Sequence, residues 1–160
     1  LRELALKEVA FRVEKKVENE IVSIDKGVRH EKFLACISSN EKTPRHIIRK
    51  AARLASRYNT VFSALYVQTP VESTERINLA SQRHLLNHFK LVTELGGEVL
   101  QVASANVLDE IIKTCQEKQI TTICMGQPAF KMPSTLFSIS KYKKFLASLA
   151  QMNIDLIILA

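Results

Sequence analysis

Side chains with hydroxyl and amide groups stand at the end of a short apolar segment. The segment FLACIS covers residues 33–38, and Ser38, Ser39 and Asn40 end it. Such groups can donate hydrogen bonds to a phosphate or to the edge of a nucleobase. The same residue types are also common in ordinary turns. The spacing therefore predicts a ligand contact or a turn, and the surrounding elements must decide between them.

Basic residues cluster in two stretches that contain no acid, within a chain of net charge +7. The first stretch holds six basic residues, Lys42, Arg45, Arg49, Lys50, Arg53 and Arg57. The second, residues 118–153, holds five lysines. Two such stretches can converge on one anionic ligand, and a solvated basic surface is the equal alternative. Nucleic acid is not favoured as a partner, because tryptophan and a helix-turn-helix pattern are both lacking.

Other reactive residue types form no catalytic or metal-binding set. Cys36 and Cys124 fall in apolar runs and Cys115 on an amphipathic stretch, where a thiol acts as a small apolar side chain. His84 and His88 have the i, i+4 spacing of a metal pair, but a solvated helix face is the favoured interpretation because a third ligand is not evident. We therefore expect a domain without catalytic residues of its own.

Short apolar runs alternate with longer amphipathic stretches, and this alternation positions the polar residues. It predicts strands over residues 33–38, 61–67, 98–103, 120–126 and 154–160. It predicts helices that begin at Thr43, with Thr43 as N-cap and Pro44 next, and over about 73–95, 107–118 and 134–152. Gly96-Gly97 ends the second of these helices. An amphipathic helix over 1–22 and a polar linker over 23–31 precede them.

The composition fits one packed domain with an extension. The 160 residues are 46% hydrophobic and include only four glycines and four prolines, which excludes disordered and collagen-like chains. No apolar run is long enough for a membrane-spanning helix. Three cysteines without a Cys-x-x-Cys arrangement indicate a reduced, cytosolic setting. Because the chain starts at Leu1 without a signal peptide, we expect a segment of a longer protein.

Strands that alternate with helices, without hairpin signals, predict an α/β fold with a doubly wound, five-stranded parallel sheet. Ligands of such sheets bind outside the carboxyl ends of the strands. These ends are predicted at Ser38–Asn40, at Tyr66–Thr69 and at Gly126. The helix from Thr43 presents its free amides beside the first of them, which places Lys42 and Arg45 nearest to a bound phosphate.

Several segments resemble one family in sequence and in order. FLACIS, HIIRKAARLASRY and VFSALYV resemble the universal-stress-protein-like domain of the KdpD family of potassium-sensing histidine kinases. GGEVLQVASANVLDEIIKTCQEKQITTICMG is similar to its third through fourth strands, and LRELALKEVAFRVEKKV resembles the end of the preceding sensor domain. The resemblance implies a Rossmann-like, universal-stress-protein-like domain over residues 32–160, with residues 1–31 contributed by the sensor domain.

The resemblance also implies a function. It implies a regulatory, non-catalytic cytoplasmic domain of a membrane-anchored sensor histidine kinase in two-component potassium and osmotic signalling. The implied partners are an adenine nucleotide, other domains of the same kinase and a second copy of the chain. Since the kinase would be membrane-anchored, an anionic lipid surface is an alternative partner for the basic residues.

Part of the family resembles a receptor for cyclic di-AMP, with Ser-x-Ser after strand one and Phe-Thr-Ala-x-Tyr in strand two. The second motif stands here as Phe62-Ser63-Ala64-Leu65-Tyr66, and the first as Ser38-Ser39-Asn40, with asparagine at its third position. The resemblance therefore implies cyclic di-AMP as the ligand. The remaining candidate contacts are Lys42, Arg45, Gly126, Ser138 and Ser140.

ATP is a further alternative, because the wider stress-protein superfamily binds it through an Asp after strand one and glycines after strand four. The chain lacks that Asp, and the later loop reads Gly126-Gln127-Pro128-Ala129 followed by Ser138-Ile139-Ser140. Without the glycines the backbone cannot approach a triphosphate as closely. Cyclic di-AMP is therefore the favoured ligand, a ligand-free protein-interaction module is the first alternative, and ATP is the second.

Overall fold

The computed structural model describes residues 29–73, 76–127 and 135–160. Within these ranges five parallel strands form one sheet: β1 (Phe33–Ile37), β2 (Phe62–Gln68), β3 (Glu98–Ala103), β4 (Thr122–Gly126) and β5 (Asp155–Leu159). The helices are α1 (Thr43–Arg57), α2 (Leu79–Glu94), α3 (Val107–Lys118) and α4 (Thr135–Gln151), and a 3₁₀ turn covers Pro70–Glu72. The predicted α/β fold is confirmed. The predicted N-terminal helix and most of its linker lie outside the described residues.

Alternation along the central strand explains why both faces of the sheet are covered. Phe33, Ala35 and Ile37 belong to one buried cluster, with side chains of α1 and α2, whereas Leu34 belongs to the other, with side chains of α3 and α4. Successive side chains of a strand point to opposite faces, so a continuous apolar run must be buried on both. The run FLACI therefore takes the centre of the sheet.

The strand order is β3-β2-β1-β4-β5, so the direction of winding reverses between β1 and β4. The register pairs Ile37 at the end of β1 with Tyr66 of β2, and Ala35 of β1 with Cys124 of β4. Because all neighbours are parallel, the carboxyl ends of these strands meet at one edge. We therefore expect a ligand site at that edge of the sheet.

One predicted helix start and one predicted N-cap are wrong, whereas the predicted helix start at Thr43 is confirmed. The predicted helix over 73–95 begins at Leu79, because the Asn78 side chain accepts a hydrogen bond from the Ser81 backbone N–H at 2.8 Å and caps the helix there. The predicted N-cap Thr43 is itself the first helical residue, and Lys42 holds the cap position without a side-chain hydrogen bond. Among the described residues, no helix has the length and apolar character needed to cross a membrane.

Two adjacent glycines follow α2, and each has a separate reason. Gly96 has φ +81°, a left-handed conformation that ends the helix, as predicted. Gly97 lies against the Phe62 ring, since a Cβ atom there would be 2.5 Å from Phe62 Cζ. The close approach lets Phe62 fill the core at the amino end of β2, where it is only 2% exposed.

Candidate functional site

A small cavity lies at the carboxyl ends of β1 and β2. Its volume is about 210 Å³. Its lining residues are the apolar Cys36, Ile37, Leu65, Val67, Val107 and Ile111 together with Ser38, Tyr66, Thr69 and Glu72. Apolar walls with a few polar groups are typical of a pocket for a small organic ligand. The structure therefore brings two predicted site residues, Ser38 and Tyr66, to one cavity.

A carboxylate stands between the polar residues of the two strand ends. Ser39 Oγ donates a hydrogen bond to Glu72 Oε1 at 2.7 Å, and the Tyr66 hydroxyl donates to Glu72 Oε2 at 2.9 Å. Gln68 Nε2 donates to the Glu72 carbonyl at 3.3 Å, which holds the 3₁₀ turn against β2. The Glu72 carboxylate thus joins the loop after β1 to the end of β2.

Glu72 is not among the residues predicted from the sequence. The predicted end of the second strand stops at Thr69 and the predicted helix starts at residue 73, so residues 70–72, which form the separate 3₁₀ turn, carried no prediction. Thr69-Pro70 was the available signal, because proline fixes the backbone of a turn or of a first helical residue.

The Tyr66 hydroxyl keeps its proton in this arrangement and donates it in the hydrogen bond to Glu72. Burial raises the pKa of its phenol, and the hydrogen bond to Glu72 and the negative charge of that carboxylate raise the pKa further. The hydroxyl therefore stays protonated throughout the physiological range and continues to donate to Glu72.

His88 anchors the loop after β1 from the neighbouring helix. Its Nε2 lies 2.6 Å from the Asn40 carbonyl oxygen, and since a carbonyl only accepts, Nε2 carries the proton and donates. The side chain is 0% exposed, so the predicted solvated helix face is wrong at this position. The side-chain Nδ1 is buried without a partner. Burial lowers the pKa of His88, nearby Arg45 and His84 lower it further, and the bond to Asn40 partly opposes them.

Two larger cavities adjoin the first. One of about 620 Å³ lies between α3 and α4, shares Val107 with it, and is also lined by Asn106, Lys141 and Lys144. Another of about 340 Å³ shares Thr69 with it. The carboxyl edge therefore has room for a ligand larger than the first cavity alone could hold.

Three predicted site residues lie in the amino-terminal half of β2, away from this edge. Ser63 is about 10 Å from Tyr66, at roughly 3.3 Å per strand residue, and donates a hydrogen bond to Glu98 Oε2 at 3.4 Å. Ala64 is buried in the core at 0% exposure, and Phe62 contacts Gly97. The contacts that the structure gives these residues are structural.

Four other predicted residues, Lys42, Arg45, Gly126 and Ser140, are not among the described residues that line these three cavities. Lys42 and Arg45 are exposed at the start of α1. Gly126 ends β4, where a Cβ atom would lie 3.0 Å from Thr43 Cγ2, so α1 covers it closely. Ser138 falls within α4, and Ser140 is an exposed residue of the same helix.

The cysteines are free and their thiols are held protonated. Burial raises the pKa of Cys115 to about 12 and that of Cys124 to about 11, with Lys50 opposing slightly at Cys124. Burial also raises the pKa of Cys36, and Cys115 and Cys124 add to the effect. A protonated thiol is a poor nucleophile, so these residues act as apolar side chains. Nowhere in the described ranges do three or more His, Cys, Asp or Glu side chains group to hold a metal ion.

Comparisons with known proteins give relatives in sequence. The chain is 37% identical to the sensor protein KdpD of Clostridium acetobutylicum over 132 residues, which is 79% of this chain and 14% of that protein. It is 32% identical to the sensor protein KdpD of Escherichia coli, over 81% of this chain and 14% of that protein. The chain thus spans about a seventh of these relatives. No protein-family model matches it.

Comparisons with solved structures give relatives in fold. A universal stress protein from Archaeoglobus fulgidus superposes with a TM-score of 0.56 at 13% identity, over 84% of this chain and 97% of that one. The A. fulgidus protein in complex with dAMP gives 0.55 at 11% identity, over 81% and 98%. A universal stress protein in complex with cAMP gives 0.55 at 13% identity, over 81% and 96%.

The sequence comparisons therefore give the family of the chain, and the structure comparisons match the arrangement of strands and helices described above. This chain is homologous to one segment of the KdpD sensor proteins, and its fold is that of the universal stress proteins.

Proposed function

We propose that this chain is a regulatory nucleotide-binding domain of a potassium and osmotic sensor histidine kinase, and that its ligand is cyclic di-AMP. Homology to the KdpD sensor proteins supports the kinase context. Universal stress proteins of the same fold in complex with dAMP and with cAMP support an adenine nucleotide. The domain itself binds and does not catalyse.

The cavity at the ends of β1 and β2 carries the proposal. At about 210 Å³ it is smaller than the roughly 300–1,000 Å³ of typical small-molecule pockets, so it suits one base. The adjoining cavity of about 620 Å³ leaves room for the rest of a cyclic dinucleotide. Ser38 and Tyr66, both predicted to bind, line the smaller cavity. ATP is less favoured, because the glycines that would cradle a triphosphate are lacking after Gly126.

Calorimetric titration of the chain with cyclic di-AMP tests the proposal, with cyclic di-GMP and ATP as competing ligands. We expect saturable heat with cyclic di-AMP and weaker or no heat with the others. Neither heat nor a thermal shift at high micromolar cyclic di-AMP would refute the proposal.

A blocked cavity gives a sharper test. Val107 lines both cavities and is 37% exposed, so Val107→Trp should fill the opening and abolish binding while the chain stays folded. Val61→Trp is the matched control, because Val61 precedes β2 at the opposite end of the sheet and is 67% exposed. Equal affinities of the two variants would place the ligand elsewhere.

The exposed basic face of α1 favours a second candidate function, contact with an acidic surface of another domain of the same kinase. Arg49, Arg53 and Arg57 are exposed on this helix. If the basic residues serve the ligand, charge removal at Lys42 and Arg45 should weaken nucleotide binding and flatten its salt dependence. If they serve a partner domain, Arg53 and Arg57 matter instead and nucleotide binding is unchanged, because charges beyond about 8–10 Å are screened. Both double variants at two salt concentrations distinguish the cases.

A further inference from the structure

We propose that Glu72 determines how the ligand is oriented: its carboxylate receives a hydrogen-bond-donating group of the nucleoside and keeps phosphate away from Ser39 and Tyr66. The inference rests on the proposed function, since it assigns a role within the same site. It concerns a residue that neither the motif nor the sheet topology pointed to.

The Glu72 carboxylate is already fixed in place. Ser39 Oγ holds one oxygen at 2.7 Å and the Tyr66 hydroxyl holds the other at 2.9 Å. Its backbone is fixed too, because the Glu72 N–H donates to the Thr69 carbonyl at 2.9 Å and its carbonyl accepts from Gln68. A group held at both ends is preorganised, so little conformational freedom is lost when a ligand binds.

The hydrogen bonds already made leave acceptor capacity and no donors. A carboxylate offers about four lone-pair sites, and Ser39 and Tyr66 occupy two of them. The two hydroxyl protons are directed at Glu72 and are unavailable to another acceptor. A partner of this cluster must therefore bring its own N–H or O–H groups.

Nucleobase amines and ribose hydroxyls meet that requirement, and a phosphate does not. An ionised phosphodiester only accepts hydrogen bonds, and its negative charge would lie against that of Glu72. Since Glu72 lines the small cavity, the nucleoside half belongs there and the phosphates belong outside. Glu72 is therefore a specificity-determining residue of the nucleoside half.

Glu72→Gln tests the inference, with adenosine, cyclic di-AMP and inorganic phosphate as calorimetric probes on the full 160-residue chain. We expect adenosine and cyclic di-AMP to bind about tenfold or more weakly, because a charge-assisted acceptor is lost, and inorganic phosphate to remain without effect. Purine riboside, which lacks the 6-amino group, and 2′-deoxyadenosine, which lacks the 2′-hydroxyl, then identify the donor. The analogue that lacks the donor should bind equally well to the wild-type chain and to Glu72→Gln.

Glu98→Gln is the matched control. Glu98 also accepts a hydrogen bond from a serine, Ser63, but it stands at the amino end of β3, far from the cavity. This control should keep the wild-type affinity for both adenine ligands. If Glu72→Gln does not fold, Ser39→Ala replaces it, and it should weaken adenosine and cyclic di-AMP alike.

Opposite outcomes are equally clear. Tighter binding of cyclic di-AMP or of inorganic phosphate by Glu72→Gln, or a loss in Ser39→Ala confined to cyclic di-AMP, would show that phosphate takes the hydroxyls and would overturn the inference. Unchanged adenosine affinity in Glu72→Gln would overturn it as well. A wild-type chain that binds no adenine ligand would instead refute the proposed function, and the inference with it.

Discussion

Replacement of His88 by leucine should change how stability depends on pH more than it changes stability itself. His88→Leu removes a donor to Asn40, worth about 0.5–1.5 kcal/mol, but it also removes the buried, unpartnered Nδ1, whose burial costs about 1–3 kcal/mol. The two effects nearly cancel at neutral pH. At pH 7.5 we therefore expect the free energy of unfolding to change by less than about 1.5 kcal/mol.

The pH dependence follows from the lowered pKa of the folded imidazole. An unfolded histidine has a pKa of about 6.5, so below that pH the unfolded state binds a proton that the folded state resists. The contribution of His88 to the free energy of unfolding is therefore fully present above about pH 6.5. It decreases as the pH falls below that value, by up to about 1.4 kcal/mol per pH unit. Between pH 7.0 and 5.5 the wild-type chain should lose at most about 1.3 kcal/mol through this group alone, the limit set by a folded His88 that binds no proton in this range.

Urea unfolding followed by circular dichroism at pH 7.0, 6.0 and 5.5 measures the effect. The difference between the wild-type chain and His88→Leu isolates His88, because every other titrating group is common to both. His46→Leu is the control, since it removes an exposed imidazole from α1 and leaves the bond to Asn40 intact. Parallel pH profiles for the wild-type chain and His88→Leu would refute the assignment of a buried, neutral His88.

Three further predictions concern single contacts of the fold. Gly97→Ala should lower the free energy of unfolding by about 1–3 kcal/mol, because its Cβ would meet the Phe62 ring. Phe62→Leu should be less destabilising in the Gly97→Ala variant than in the wild-type chain, and additive losses in urea unfolding would contradict the contact. Asn78→Ala should cost about 1 kcal/mol by the same assay through loss of the α2 cap, and an unchanged midpoint would argue against it. Cys115 and Cys124 should react with a disulfide reagent at pH 8 about a hundredfold more slowly in the folded chain than in urea; equal rates would exclude raised thiol pKa values.

Local patterns were sufficient for the architecture. The apolar run FLACI and the amphipathic helix after it each carry their own period, and parallel connection follows from the absence of hairpin signals. The position of Ser38 and Tyr66 at one edge followed from topology alone. These features depend on neighbours in sequence or on rules that hold for all such sheets.

The contacts of Glu72 and His88 join segments that are far apart in sequence, and the periodic pattern of apolar residues within one segment does not predict such contacts. Ser39 and Glu72 are 33 residues apart, and Asn40 and His88 are 48 residues apart. An i, i+4 histidine pair looks the same whether it faces water or a loop carbonyl, so burial of His88 required the position of the loop. The start of α2 differs from the predicted start for a simpler reason, because Ser73 is also a residue type that caps helices and precedes Asn78 in the sequence.

The hydrogen bond from His88 to Asn40 couples the position of α2 to the position of the loop after β1. A shift of the Asn40 carbonyl must either break a buried hydrogen bond or be carried by the helix that holds its donor. That helix is 16 residues, or about 24 Å, long, and it is followed by Gly96 and by Gly97, which lies against Phe62. A displacement that begins beside the cavity therefore has a stiff path to the opposite end of the sheet.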